Sequence, residues 1–413
     1  MMRYTREQFW ALTPDQRSAQ LVEWLKTHSI GGGADPLIDE INEVTLPEVN
    51  DAAIEDEFFL AAVFQAHMRA KCLVPFKGGA FTRNLQLYAP LNGGPYSKGV
   101  GGFNLTKPNT ISSTVFDPRY YVVMIIEYLE DISVLNTGDL AVFSLLEIDM
   151  ANAYQTISAI MALDMQQNGS VGSRAGLNIN GWVEAINDGI YPSYDGNIYS
   201  TYGTATRNGA VGKALNGNLY WGGTPTGGLG TISHAVFNSM YLIAKRGGDE
   251  PDLFVGNKPL VGFVENRIQP QQRYDQSSAA VMDPYFGATG FRFKKALVMM
   301  DDYFPSSFAG YADSSNRGLG NNLTGTISYT APGTASNSSF PTTNQTLTVG
   351  EVGCFFNTSR WKFRVSDDSE FGFNPTDFIR APDNTRVASQ LKAAVNLECT
   401  APWSNTQGYG WGS

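Results

Sequence analysis

The sequence predicts an α+β fold. Three observations carry that prediction: segments of strand period are interleaved with segments of helix period, no internal repeat is visible, and glycine-rich stretches separate the elements. The 43 glycines among 413 residues exceed an average usage of roughly 7% and cluster at 31–33, 93–102 and 222–230. The length is enough for two or three compact regions, and 42% hydrophobic content is ordinary for a globular chain.

Residues 1–50 read as an arm. Thr13 and Pro14 form a helix start, Leu21, Val22 and Leu25 a short apolar stripe, and Gly31-Gly32-Gly33 a stop. A second helix is expected over 51–72, with Asp51, Glu55, Asp56 and Glu57 at its start and Arg69 and Lys71 at its end, the polarity a helix dipole favours. In 76–116, Phe81, Leu85 and Leu87 alternate with polar residues, the glycine-rich tip NGGPYSKGVGG follows at 92–102, and a second extended run returns. This is a long hairpin that needs outside support, because a lone two-stranded ribbon is marginal in water.

YYVVMIIEYLEDISVL (120–135) is strongly β-forming. In 139–167, Phe143, Leu146, Met150, Tyr154, Ile157, Met161 and Met165 recur at steps of three and four, which predicts a helix about 43 Å long. A loop-rich region (181–230), a helix (231–246), a buried strand (252–257) and a short helix follow. Residues 291–304 are expected as one strand. The Ser/Thr/Asn/Gly-rich 308–350 is expected as an insertion, either mobile or a small β-ribbon, before strands at 352–357, 360–368 and 385–401.

The net charge of −10 argues against a nucleic-acid reader and a membrane-surface protein. Cys72, Cys354 and Cys399 are odd in number, far apart and outside any C-x-x-C pair, so neither a disulfide framework nor a zinc site is expected. The N-terminus lacks a signal-peptide pattern, no stretch reaches the ~18 apolar residues of a membrane span, and the N-x-[ST] sequons are expected by chance.

His28, His67 and His234 lie in separate segments and predict no metal site or His-based triad. Gly222 and Gly227 have phosphate-loop separation, yet Gly228 stands where lysine is required. Asn104 occupies the third glycine position after Gly99 and Gly101, and no G-x-S-x-G elbow occurs. Asp301-Asp302 and Asp367-Asp368 could serve glycoside hydrolysis or hold a cation, but read first as solvated turns at strand ends. The 24 Phe, 19 Tyr and 7 Trp fit large intersubunit contacts better than a carbohydrate face. No cofactor, metal or catalytic residue is predicted.

The order of these features resembles the major capsid proteins of tailed bacteriophages, the Hong Kong 97-type fold also used by encapsulins. Four stretches carry the likeness: INGWVEAINDGIYPSYDG (179–196), DEPDLFVGNKPLVGFVENRIQPQQRY (249–274), FRFKKALVMMDDYFP (291–305) and RWKFRVSDDSEFGFN (360–374). The resemblance covers most of 50–305 and 351–413. It implies an N-terminal arm (1–50), a peripheral (P) domain (51–75, 117–175 and 375–413) with spine helix 139–167, an E-loop hairpin (76–116), and an axial (A) domain (176–374) holding the insertion 308–350.

The resemblance further implies intersubunit contacts by Phe81, Leu85, Leu87, Tyr96, Lys98 and Phe103, and a spine-helix core of Phe143, Met150, Tyr154, Ile157 and Met161. Implied partners are the chain itself in hexamers and pentamers, scaffolding, portal and decoration proteins, and packaged DNA without sequence specificity. Its implied location is the virion, after synthesis and assembly in the host cytoplasm. Some relatives crosslink a loop lysine to an asparagine; Lys98 has no recognisable acceptor context, so crosslinking is not expected, and neither is N-terminal cleavage. The alternatives are an encapsulin-like compartment, marked by cargo without DNA, a carbohydrate-active enzyme using one of the acidic pairs, marked by turnover, and a tail or decoration protein.

Overall fold

The computed structural model describes residues 62–93, 106–128, 145–167, 169, 176–207, 215–268, 291–304, 326–332, 339–368, 371–375, 379–380 and 386–412. The expected arm at 1–50 lies outside the described residues, as do Tyr96, Lys98, Phe103 and Phe143. The chain divides into two compact units: Met1–Asp56, Met124–Tyr154 and Thr376–Gln390 form one, and Glu57–Val123, Gln155–Pro375 and Leu391–Ser413 the other.

In chain order the elements begin with α1 (Val63–Lys71), β1 (Leu73–Phe76), β2 (Thr82–Leu87), β3 (Ile111–Phe116), β4 (Arg119–Tyr128) and α2 (Leu145–Gln166). The middle of the chain holds α3 (Trp182–Ala185), β5 (Thr201–Tyr202), β6 (Ala205–Thr206), β7 (Asn218–Trp221), β8 (Gly230–Thr231) and α4 (His234–Ala244). Next come β9 (Leu253–Gly256), α5 (Lys258–Ile268), β10 (Phe291–Phe293), β11 (Ala296–Met300), β12 (Thr326–Tyr329) and β13 (Gln345–Thr348). The last strands are β14 (Glu351–Phe356), β15 (Trp361–Ser366), β16 (Gly372–Pro375), β17 (Ile379–Arg380), β18 (Arg386–Cys399) and β19 (Thr406–Gly412).

While β2–β3, β5–β6 and β12–β13 form separate two-stranded ribbons, two large sheets take most of these strands. One runs β1-β15-β18-β16, with β17 and β4 also pairing with the long β18. The other runs β10-β11-β9-β14-β19-β7, with β8 on β19, and mixes parallel and antiparallel neighbours. Mixed sheets with helices set apart from a regular β-α-β alternation make the class α+β. Helices α4 and α5 cover the second sheet, where Phe237, Met240, Tyr241 and Leu260 close over Phe254, Phe293, Phe355 and Trp411. Phe237 meets Phe254, Phe293 and Phe355 with ring centroids 4.7–4.8 Å apart. Such aromatic contacts add to the burial of their area, which by itself stabilises by roughly 25 cal/mol per Å².

Sequence expectations meet the structure at four places. Residues 291–304 hold a tight hairpin, not one strand: β10 and β11 pair antiparallel, and Lys294 takes φ 55 in the two-residue turn between them. The 308–350 segment does contain a ribbon, β12 against β13, but its described parts are seated in the body. Phe340 stacks on Tyr191 at 4.3 Å and meets Tyr409, while Ile327, Tyr329 and Leu347 are buried. The boundary expected at 375 separates strands that share a sheet, because β15 pairs with β18 and β19 pairs with β14. Finally, the three cysteines are free and buried, which is compatible with their reading in sequence; burial pushes the Cys72 and Cys399 thiols up to about 12, so all three stay protonated.

Candidate functional site

Strand β2 turns its polar side chains inward and its leucines outward, while β3 seats the base of the same inner face through Phe116, buried opposite Thr82 with its ring 5.0 Å from that of Tyr202. In an antiparallel ribbon on a protein body the apolar face ordinarily turns inward. Here Thr82, Asn84 and Gln86 point to the body, Asn84 and Thr114 being buried opposite each other, while Leu85, Leu87 and Ile111 are 73%, 74% and 58% exposed. Phe81, just before the strand, is also exposed, and Arg83 lies over its ring at 5.5 Å. Strand β4 repeats the pattern: Tyr120, Val122, Met124, Ile126 and Tyr128 alternate along it and are all exposed, whereas Ile125 and Glu127 are buried. Contiguous exposed apolar rows on a soluble fold mark interaction surfaces.

Opposite in character is the loop region beginning at Asn178, which contains the INGWVEAINDGIYPSYDG stretch. Almost every side chain from 178 to 194 is buried. Gly181 is required by close approach, since a Cβ there would collide with the Gln167 carbonyl. Trp182 stacks on Phe304 at 5.2 Å and donates to Gln166. Asn187 acts as a turn organiser, its Nδ2 donating to the Tyr191 carbonyl (3.1 Å) and Ser193 Oγ (3.0 Å) while its Oδ1 accepts from the Gly189 and Tyr199 amides. Asn180 and Asn396 pair through the Asn180 amide (3.0 Å) and the Asn396 Nδ2 (2.9 Å).

Arg207 is the hub of this region and was missed in the sequence. It is 1% exposed and donates to the carbonyls of Glu184 (2.6 Å), Ala185 (3.1 Å), Leu215 (2.5 Å) and Asn187. Its guanidinium lies over the Tyr202 ring at 5.1 Å, and burial lowers its pKa to about 10. Five donors in a fixed fork suit carbonyls that the surrounding loops leave without strand partners. Nothing in TYGTATRNG marks that role in sequence.

The acidic pairs behave as structural groups. Asp301 is not the solvated turn expected: it is buried, and its carboxylate accepts from the amides of Phe64 (2.6 Å) and Tyr303 (2.7 Å). It thereby caps the first turn of α1 from the end of β11, and burial raises its pKa to about 7. Asp302 pairs with Lys258 at 2.7 Å, and Asp367 with Lys77 at 3.5 Å on the surface. Among the described residues no group of three or more His, Cys, Asp or Glu could hold a metal ion, and no helix is long and apolar enough to cross a membrane. His67 is buried and His234 is exposed, edge-on to Phe293. The Gly222–Gly227 stretch forms a turn closed by Thr224 and Gly228.

On α2, Ile157 and Met161 are buried, and Met150 and Tyr154 are half-buried. Asp164 on the same helix accepts from Tyr121 Oη at 2.8 Å, tying α2 to β4.

No family model matches this sequence, and no curated protein does. Solved structures do. A chain of the cyanophage A-1(L) capsid asymmetric unit aligns over 87% of this chain and 96% of its own, at 12% identity and a TM-score of 0.56. A chain of the cyanophage P-SCSP1u capsid aligns over 94% and 97%, at 8% identity and TM-score 0.48. The holo-SrpI encapsulin complex from Synechococcus elongatus PCC 7942 aligns over 88% and 91%, at 6% identity and TM-score 0.46. The A-1(L) match, spanning nearly the full length of both chains, settles the architecture: this protein has the Hong Kong 97-type fold of tailed-phage capsid proteins.

Proposed function

We propose that this chain is a major capsid protein, which self-assembles into an icosahedral head shell enclosing double-stranded phage DNA. The observation that carries this reading is the hairpin with the polar row of β2 inward and Leu85, Leu87 and Ile111 outward. Burying such side chains contributes roughly 1.5–3 kcal/mol each, so a second copy is a natural cover. Contacts of this heterologous kind close into rings when the rotation permits.

In this reading 76–116 is the E-loop and 139–167 the spine helix, with 1–50 as the arm. The six-stranded sheet belongs to the peripheral domain and the seven-stranded sheet to the axial domain, which moves β15 and β16 to the former and β19 to the latter. The hairpin tip residues Tyr96, Lys98 and Phe103 join the contact. The chain works without a catalytic residue or cofactor, alongside scaffolding, portal and decoration proteins. It resides in the virion after assembly in the host cytoplasm, and its net charge of −10 leaves the packaged DNA unread.

The test is removal of 92–102 with a short turn joining the strands. Native-like circular dichroism with only slow-sedimenting species, where the unaltered chain gives shells by negative-stain microscopy, supports the reading. Shells from the shortened chain overturn it.

A further inference from the structure

The inward polar side chains of β2 raise a second question: what orients the inner face of the hairpin on the body. On β3 that face makes an apolar contact, Phe116 on Tyr202 at 5.0 Å, and on β2 it meets one carboxylate. Glu398 is fully buried near the end of β18, and it accepts from Thr82 Oγ1 and from Asn84 Nδ2 (2.7 Å) on the hairpin. Arg364 Nε, from β15, reaches the same carboxylate at 3.3 Å. Lys362 Nζ, also from β15, donates to Asn84 Oδ1 at 3.0 Å, and burial, then the charge of Arg364, lowers the Lys362 pKa. One step further out, Gln86 Nε2 donates to the Thr400 carbonyl at 3.3 Å. Three successive inward positions of β2 therefore bond to the body through polar atoms of β15, β18 and the residue after it.

Polar attachment differs physically from an apolar one. Hydrogen bonds to a charged, desolvated acceptor are directional, whereas apolar contact tolerates sliding and rotation. A ribbon seated on Glu398 has one orientation that satisfies Thr82 and Asn84 together. We infer that Glu398 is a positioning residue, which fixes the angle of the β2–β3 hairpin on the body so that its apolar face is presented to the next copy. This rests on the capsid reading for its consequence, but the geometry of the latch does not.

The experiment measures the angle directly. Spin labels on Ser113→Cys in β3 and Ser239→Cys in α4 report the hairpin-to-body distance by pulsed electron resonance in the unassembled full chain, the native thiols being buried. The otherwise unaltered protein should give one narrow distribution. Thr82→Val with Asn84→Ala removes the hairpin half of the latch and leaves Glu398 paired with Arg364; it should lose the narrow distribution and lose shells while circular dichroism stays native. Glu398→Gln should do the same, and if it fails to fold the hairpin-side variant decides alone. Exchanging the partners, Asn84→Asp with Glu398→Gln, restores a donor facing an acceptor and should recover the narrow distribution.

An unchanged distribution in the Thr82→Val, Asn84→Ala variant overturns the inference. So does a wide distribution accompanied by shells at the yield of the unaltered chain, or an exchange variant as wide as the double variant. An unaltered chain that forms no shells strikes instead at the capsid reading, and the distance measurement still decides the latch.

Discussion

Residues 178–207 and the β2–β3 hairpin both depend on a few buried polar groups, and they use them in opposite directions. In the loop region Arg207, Asn187 and Asn180 satisfy carbonyls and amides from inside, so that Trp182, Tyr191 and Tyr194 can be fully buried around them. In the hairpin Glu398 satisfies Thr82 and Asn84 from inside, and the leucines are left outside. The same device, a desolvated polar hub, closes one region on itself and leaves the other open. Desolvated hubs are expensive to break from either side, because a partner left behind keeps its desolvation cost. The difference lies in where the apolar side chains went.

That comparison can be broken most sharply at Arg207. Arg207→Met fills the volume but leaves the carbonyls of Glu184, Ala185, Asn187 and Leu215 without their donor. A loss of about 5 kcal/mol in unfolding free energy is expected, read as the shift of a urea transition. A loss under about 1 kcal/mol would show that water replaces the guanidinium and that the hub is dispensable.

A second hub, Asp301, has a pH signature. Its folded pKa of about 7 lies above the ordinary 3.8, so between those values the folded state keeps a proton that the unfolded chain has released. Stability from this group is therefore full below about pH 4 and falls as pH rises through about 7, by on the order of 4 kcal/mol. Denaturation midpoints across that range should show the decline, and Asp301→Asn should flatten it. An equal decline in both proteins assigns it to other groups.

Phe340→Ala asks whether the 339–350 stretch belongs to the closed region. Its ring contacts with Tyr191, Tyr329 and Tyr409 imply a cost of about 3 kcal/mol, visible in the thermal midpoint. No change would mean that the segment is an insertion that adds nothing to the closed region.

The smallest stability effect is expected in the hairpin. Leu85→Ser with Leu87→Ser removes side chains already in water, so the unfolding free energy should move by less than about 0.5 kcal/mol while shells disappear. A large loss of stability would mean that these leucines are covered within one chain, and the contrast between the two regions would fail.

Sequence alone determined many of the elements and much of their order, though not the β10–β11 hairpin or β19. Strand alternation at 82–87, the helical stripe of Ile157 and Met161, the buried DLFV run and the paired extended runs near the C-terminus were legible because side-chain period follows backbone geometry directly. The four family-like stretches were also legible as words, and INGWVEAINDGIYPSYDG proved to be the short helix α3 and a loop, whose side chains are mostly buried. The absence of a catalytic pattern rested on sequence as well, since the motifs failed at named positions such as Gly228 and Asn104.

Tertiary structure alone decided which face of each alternating segment turns inward. Period two in β2 says that Leu85 and Leu87 share a side; it does not say whether that side meets the body, because the answer depends on what β18 offers 314 residues away from Asn84. A lone glutamate within the apolar run AAVNLECTA was the one sequence signal of that partner. Arg207 left no comparable signal, and Asp301 looked like an exposed turn until the first turn of α1 was brought over it. Long-range hydrogen bonds and desolvation depend on residues that only the fold brings together, and no local window of sequence contains both partners.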